Sequence, residues 1–216
     1  MTIAENIARI RANMAAAARE AGRDPKEILL VGASKMNDAA ACREAVAAGI
    51  DALGENRVQE MVQKLEQHAY DGAPLHFIGH LQRNKVKQVV GHVALIQSVG
   101  SLELLDEIEK VAAARGLVQD ILLEVNIGRE AAKSGFAPEK VLPAAEAALE
   151  RTHVRVRGLM TIPPADAQRD ANFRYFQEVQ ALYVDMNQKL FHNELEYLSM
   201  GMSGDYEDAI RAGATM

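Results

Sequence analysis

The amino-acid sequence predicts a single α/β barrel of the (β/α)8 type. Short apolar runs rich in branched residues alternate with longer segments of helical period, which is the pattern of repeated strand-helix units around a parallel sheet. The chain has 216 residues, and one such barrel takes roughly 200 to 250. No Ser-, Gly- or Pro-rich linker divides it, so we expect one domain over residues 1–216.

The strands are predicted from branched apolar runs that end in small or polar residues. They lie at 28–34, 51–55, 75–79, 94–98, 121–126, 156–162 and 196–201. Eight strands close a barrel of this type. Residues 212–216 stand where an eighth strand should begin, so we expect that strand to be truncated and the closure to be incomplete.

The helices between these strands begin and end at recognisable residues. Thr2 and Glu5 have the spacing of a capping box, and Asp38 and Ser101 are good N-caps. Glycines follow several helical segments, as is usual where helices stop, at positions 22, 49, 116 and 213. Proline lies inside the helical segment that begins near residue 138, so we expect a kink or a late start there; this is Pro143.

Composition excludes several classes of protein. No apolar run approaches the roughly 18 to 20 residues that span a bilayer, and no basic stretch leads into an apolar one near Met1. The net charge of −6 argues against a surface that binds nucleic acid. The single cysteine, Cys42, agrees with a reducing compartment and is interpreted as a small apolar filler. We expect a cytoplasmic protein with no membrane or nucleic-acid partner.

Lys35 is the first candidate functional residue. It follows the first predicted strand by one residue and shares the parity of Val31 and Ala33, so it should point to their face of the sheet at the strand's carboxyl end. Barrels hold their chemistry at that end, and a primary amine there is a candidate imine former. A solvated surface lysine is the ordinary alternative. A free lysine has a pKa of about 10.4, so we expect partial burial or a nearby positive charge to make Lys35 nucleophilic.

The loop after the seventh strand is the second candidate. Ser203 and Gly204 precede a short predicted helix at 206–212, whose free backbone N–H groups can meet an anion. Simple capping of that helix by Ser203 or Asp205 is the alternative. An amine at one strand end and an anion cradle at another suggest an aldehyde that bears a phosphate, such as pyridoxal 5'-phosphate (PLP).

Five ordered segments resemble the pyridoxal phosphate homeostasis protein family over nearly the whole chain. They are residues 32–35 (GASK), 53–60 (LGENRVQE), 76–85 (HFIGHLQRNK), 158–163 (GLMTIP) and 198–203 (LSMGMS). The resemblance implies a barrel like the N-terminal domain of alanine racemase. It also implies that PLP is held as an internal aldimine on Lys35, without enzymatic turnover.

The same resemblance implies further binding residues and a role. Ser203 and Gly204 match the family's phosphate-contacting segment, and Asn56 matches a residue near the cofactor ring. His80, Met202 and Asn126 are pocket candidates by position only. The implied role is intracellular vitamin B6 homeostasis as a carrier or regulator, with PLP-dependent apoenzymes as recipients and a monomeric protein.

The sequence departs from the family pattern in two places. Arg57 stands where members commonly have an aromatic residue, and we interpret it as a solvated side chain in the first turn of a helix. The family also continues with an Arg-Ile-Gly-Thr segment that contributes to cofactor binding, and the present sequence does not contain it. We therefore expect weaker cofactor retention.

Three alternatives remain open on the sequence. A PLP-dependent racemase or decarboxylase would need a second acid or base on the opposite face of the cofactor, for which His80 is a candidate. A cofactor-free lysine aldolase would use the same amine but would explain Ser203 and Gly204 only with a phosphorylated substrate. A metal site at His76 and His80 lacks a third ligand at suitable spacing.

Overall fold

A parallel sheet forms the centre of the molecule in the computed structural model, which describes residues 1–131, 133–164 and 169–216. In these residues it has seven strands, and each pairs in parallel with the next along the chain. The strands are β1 (Val31–Ala33), β2 (Ala52–Glu55), β3 (Leu75–Phe77), β4 (Leu95–Val99), β5 (Gln119–Val125), β6 (Val154–Thr161) and β7 (Tyr197–Ser199). All seven overlap the predicted positions, so the α/β barrel architecture is confirmed.

Eight helices connect and cover the strands of the described chain. They are α1 (Ile3–Glu20), α2 (Ala39–Ala47), α3 (Val58–Glu66), α4 (Val86–Val89), α5 (Leu102–Arg115), α6 (Val141–Leu149), α7 (Arg169–Leu190) and α8 (Tyr206–Arg211). Within the described residues, none of them combines the length and the apolar character that crossing a bilayer requires.

The structure contains the helix-capping interactions that the sequence predicts. The Thr2 hydroxyl accepts the Glu5 amide at 3.2 Å while the Glu5 carboxylate accepts the Thr2 amide at 2.7 Å, which completes the capping box. Asp38 accepts the Ala41 amide at 2.8 Å. Pro143 lies in the first turn of α6, after a 3-10 turn at Pro138–Lys140, so the predicted late start is confirmed.

The main core lies between the sheet and its helices. Strand residues such as Leu53, Phe77, Ile121 and Leu159 enter it and are fully or almost fully buried. Because side chains alternate along a strand, their neighbours face the barrel interior. A smaller cluster of Leu95, Leu122 and Met160 lies there, with Tyr197 and Met216 packed against it.

The gap between β7 and β1 is bridged by the last residues of the chain. The Thr215 amide donates to the Leu198 carbonyl of β7 at 3.0 Å, and the Thr215 carbonyl accepts the Leu29 amide at 2.9 Å. Met216 accepts the Met200 amide at 3.2 Å. An eighth strand is not assigned in the described residues, but Thr215 occupies its position between the two edge strands. The expected truncation of the eighth strand and the incomplete closure are therefore confirmed in the described residues, with the backbone of Thr215 as the contact that links the two edges.

Gly79 allows the loop after β3 to approach the loop after β2. A Cβ atom added at Gly79 would lie 2.2 Å from the Asn56 carbonyl oxygen and 2.5 Å from the Asn56 Cα. These are backbone atoms, so no side-chain rotation relieves the overlap. Glycine at this position therefore fixes the spacing between two adjacent strand ends.

We expect Gly79→Ala to lower the free energy of unfolding by about 2 to 3 kcal/mol, because the two loops must separate to admit the methyl group. Urea unfolding followed by circular dichroism would measure the change. Gly204→Ala is the matched control, because a Cβ there would have no atom within 4 Å. A Gly79→Ala protein as stable as the control would contradict the prediction.

Candidate functional site

The predicted site residues all lie at the carboxyl ends of parallel strands and therefore on one rim of the barrel. Lys35 and His80 are exposed after β1 and β3, Asn56 is half-buried directly after β2, and an exposed group of Met202, Ser203 and Gly204 follows β7. One expectation is wrong: the protein does not bury Lys35. The reason is that β1 ends at Ala33, so Lys35 lies in the turn beyond the edge of the sheet.

A buried carboxylate, that of Glu55, lies behind this rim, between the sheet and α3. Glu55 is 0% exposed, and its Oε2 accepts hydrogen bonds from Lys64 Nζ at 2.6 Å and from the Ser34 hydroxyl at 3.1 Å. Tyr70 donates to the same oxygen at 3.4 Å. Burial is the leading reason that the pKa of the Tyr70 hydroxyl is raised, so Tyr70 remains a donor.

The Glu55 carboxylate connects two candidate residues of the rim. Its Oε1 accepts the Asn56 amide at 2.9 Å, while Lys64 Nζ also donates to the Ser34 carbonyl at 2.7 Å. Ser34 and Asn56 flank the ends of β1 and β2. The ion pair therefore holds the backbone next to Lys35 and the backbone of Asn56 in one hydrogen-bonded unit. Sequence reasoning missed it because Lys64 lies on a helix and has the charge of an ordinary solvated residue.

The segment after β7 turns sharply into α8. Gly201 has φ of +92°, and a Cβ there would lie 2.7 Å from the Ala209 Cβ. Asp205 stands at the N-cap of α8, but its carboxylate accepts the Met202 amide at 2.6 Å and makes no side-chain cap. The Ser203 hydroxyl makes no hydrogen bond with any described residue. Neither Ser203 nor Asp205 therefore caps α8 with its side chain, and the alternative of simple helix capping is not observed.

Several buried polar atoms lack hydrogen-bond partners among the described residues, and two of them lie on strand ends next to the rim. One is Oδ1 of Asn56 and the other is Oε2 of Glu124 on β5. Burial is the main reason that the pKa of the Glu124 carboxyl is raised, although Ser134 donates to its other oxygen at 3.1 Å. Orphaned buried acceptors are costly, so they mark positions where a donating group of a ligand would be stabilised.

Other residues near the strand ends have structural partners instead. Asn126 donates to the Glu130 carbonyl at 2.8 Å and accepts the Glu130 amide at 3.1 Å, so both ends of its side-chain amide hold the loop after β5. This corrects its assignment as a pocket candidate. Arg57 pairs with Glu60 at 3.2 Å while its side chain remains 69% exposed, which agrees with a solvated side chain at the start of α3.

A polar layer inside the barrel was not predicted. His76 on β3 lies 3.0 Å from the side-chain nitrogen of Gln97 on β4, and Ser199 on β7 donates to the Gln97 side-chain oxygen at 2.7 Å. Burial lowers the pKa of His76 to about 4. The neutral imidazole therefore belongs to the folded state. His76 is buried against Gln97 while His80 is exposed on the rim, and the described residues contain no group of three or more potential metal ligands.

Comparison with known proteins places this geometry in a family. The family described as alanine racemase, N-terminal domain, matches residues 6–216. A pyridoxal phosphate homeostasis protein of Aquifex aeolicus is 41% identical over 100% of this chain and 94% of its own length. The chain belongs to the pyridoxal phosphate homeostasis protein family. The resemblance inferred from the five sequence segments is thereby confirmed.

Solved structures agree with this membership. A protein from Bifidobacterium adolescentis superposes with a TM-score of 0.92 at 32% identity, covering 99% of this chain and 90% of its own. PipY of Synechococcus elongatus, solved with PLP bound, superposes with a TM-score of 0.85 at 30% identity, covering 99% of this chain and 95% of its own. Both of these proteins thus share the barrel with this chain across nearly their whole length.

We expect Lys64→Met to lower the free energy of unfolding by about 3 to 5 kcal/mol, because it leaves the Glu55 carboxylate buried without its cation. Thermal and urea unfolding would measure the loss. The double variant Lys64→Met with Glu55→Gln should recover part of it, because no unpaired charge then remains. A double variant less stable than Lys64→Met alone would show that the ion pair is not the source of the loss.

The protein should lose stability as the pH falls from about 6.5 to about 4. His76 has a pKa of about 4 when folded and an ordinary value of 6.5, so the unfolded state binds more protons in that window. The stabilisation is complete above pH 6.5, and His76 accounts for a loss of about 3 kcal/mol by pH 4. Urea unfolding across this range would measure it, and His76→Gln should flatten the slope. An unchanged slope in His76→Gln would contradict the assignment.

Proposed function

We propose that the protein binds PLP at the rim of the barrel, with Lys35 as the residue that forms the internal aldimine. In this proposal Lys35 would supply the amine that bonds to the cofactor's aldehyde carbon, with the aldehyde oxygen lost as water. The observation that carries the proposal is the arrangement of an exposed amine after β1 and an unpaired hydroxyl after β7 on one rim. PipY, a relative at 30% identity with the same fold, has been solved with PLP bound.

The segment after β7 fits the phosphate. The Ser203 hydroxyl has no partner among the described residues and is free to donate to a phosphate oxygen. Gly204 leaves open space, because a Cβ atom there would have no neighbour within 4 Å. In this proposal Ser203 and Gly204 bind the phosphate, and Met202, which is 51% exposed, lies beside them.

The ring of the cofactor also has a suitable partner. Oδ1 of Asn56 is buried and without a hydrogen bond in the described structure, and PLP carries a ring hydroxyl that can donate to it. Ala33 on β1 is paired with Gly54 on β2. Because of this register, Asn56 after β2 lies beside the turn that contains Lys35 after β1. His80 completes the proposed set of cofactor-binding residues on the rim, next to Asn56.

We further propose that the bound cofactor is carried and not used in turnover. The role would be intracellular vitamin B6 homeostasis by a cytoplasmic monomer, with PLP-dependent apoenzymes as recipients. The support is that curated relatives at 41% identity in Aquifex aeolicus and Pseudomonas aeruginosa are named pyridoxal phosphate homeostasis proteins.

We expect Lys35→Ala to reduce the yield of covalent adduct at least tenfold when protein saturated with PLP is treated with borohydride, because reduction traps only a C=N bond. Peptide mapping by mass spectrometry would locate the pyridoxyl group on Lys35 in the unaltered protein. Lys26→Ala is the control, because Lys26 is an exposed lysine on the chain before β1. An adduct on another lysine of the unaltered protein would refute the assignment.

The carrier proposal has its own test. Protein loaded with PLP should leave single-enantiomer amino acids optically pure during long incubation, because no turnover is proposed. Chiral chromatography would measure purity, and a PLP-dependent racemase would serve as the positive control. Sustained racemisation that requires Lys35 would instead establish the racemase alternative, whereas PLP binding would stand.

A further inference from the structure

We propose that Glu60 is a positioning residue, which together with Lys64 on the same helix holds the turn that carries Lys35. This inference rests on the proposed function, because it concerns how the Lys35 amine is presented to PLP. Glu60 does not touch the cofactor in this proposal. It acts through the backbone on either side of Lys35.

The two side chains bind the residues that flank Lys35. Lys64 Nζ donates to the Ser34 carbonyl at 2.7 Å, and the Met36 amide donates to Glu60 Oε2 at 3.2 Å. Glu60 and Lys64 are one helical turn apart on α3, with 3.8 Å between Oε2 and Nζ. A single helix therefore binds the residue before Lys35 and the residue after it.

Met36 adopts a backbone conformation that needs such support. Its φ is +60°, in the left-handed region that side chains other than glycine rarely adopt. Its side chain is 88% exposed, so apolar packing does not hold the turn. Strained residues of this kind persist where neighbouring contacts determine them, and they are concentrated at functional sites. The hydrogen bond to Glu60 is the contact that the structure supplies at the Met36 amide.

The helix that holds the turn is itself anchored in the core. Lys64 is bound to the fully buried Glu55 at 2.6 Å, and Glu55 also holds the Asn56 amide at 2.9 Å. Arg57 contacts the other oxygen of Glu60 at 3.2 Å. The Met36 amide is the main reason that the pKa of Glu60 is lowered, so Glu60 is an anion when it accepts that bond.

Loss of the Glu60 contact should affect only the bond between Lys35 and the ligand. Freed from Glu60, the turn would spend part of its time in more relaxed backbone conformations, and the apparent affinity falls by the fraction that remains competent. The loss should appear only for a ligand that bonds to Lys35. The phosphate contacts of Ser203 and Gly204, after β7, should be unaffected.

The experiment compares two ligands: PLP, and 4-deoxypyridoxine 5'-phosphate, which has the ring and phosphate but no aldehyde. We expect Glu60→Ala to weaken PLP binding about fivefold to tenfold while the affinity for the deoxy analogue changes less than twofold. Glu60→Gln should restore most of the PLP affinity, because its side-chain oxygen can still accept the Met36 amide. Gln63→Ala, an exposed substitution on the same helix, is the control.

Amide hydrogen exchange of the folded, ligand-free protein gives a second readout. Exchange at Met36 should be faster in Glu60→Ala than in Gln63→Ala, with the core strands unchanged. Equal loss of affinity for both ligands, or unaltered PLP affinity together with unaltered exchange, would overturn the positioning role. If the unaltered protein binds PLP no more tightly than the deoxy analogue, the Lys35 assignment itself is wrong, and the two failures are thereby distinguished.

Discussion

The Glu55 carboxylate is the constraint on which the geometry of the rim depends. It is fully buried, so it must be paired and hydrogen-bonded to remain charged. Its partners include Ser34 after β1, Asn56 after β2 and Lys64 on α3, and Tyr70 donates to it from the segment after α3. Satisfying one charge therefore sets the relative positions of the first two strand ends and the helix that follows them.

The fold was predictable because burial of a parallel sheet leaves a strong local pattern in the sequence. The ends of the strands were predicted less accurately than their positions, and β1 shows why. Residues 28–30 are apolar enough to look like strand, yet the Leu30 amide donates to the Asp51 carboxylate at 2.7 Å and the Leu29 amide to Thr215. Both donors are thus occupied by partners distant in sequence, and β1 begins only at Val31.

Only part of the candidate site could be predicted from the sequence. Strand periodicity predicted that Lys35, Asn56 and Ser203 lie beyond strand ends on one rim, whereas the role of Asn56 near the cofactor ring came from the family resemblance. The residues behind them were not predictable. Glu60 and Lys64 have the spacing of an ordinary solvated pair on a helix, and only the approach of α3 to the turn after β1 gives them backbone partners. The partners of His76 could not be predicted for a similar reason, because its burial depends on Gln97 and the barrel interior.

The contact between Thr215 and Leu29 has a consequence for how the molecule is made. Thr215 is synthesised last among the residues that join the sheet edges, and loop closure over so long a stretch is entropically slow. During translation the β1 edge lacks this contact until Thr215 has left the ribosome. Such edges invite pairing with other chains, so the nascent barrel is most exposed to misassembly in the interval before Thr215 reaches them.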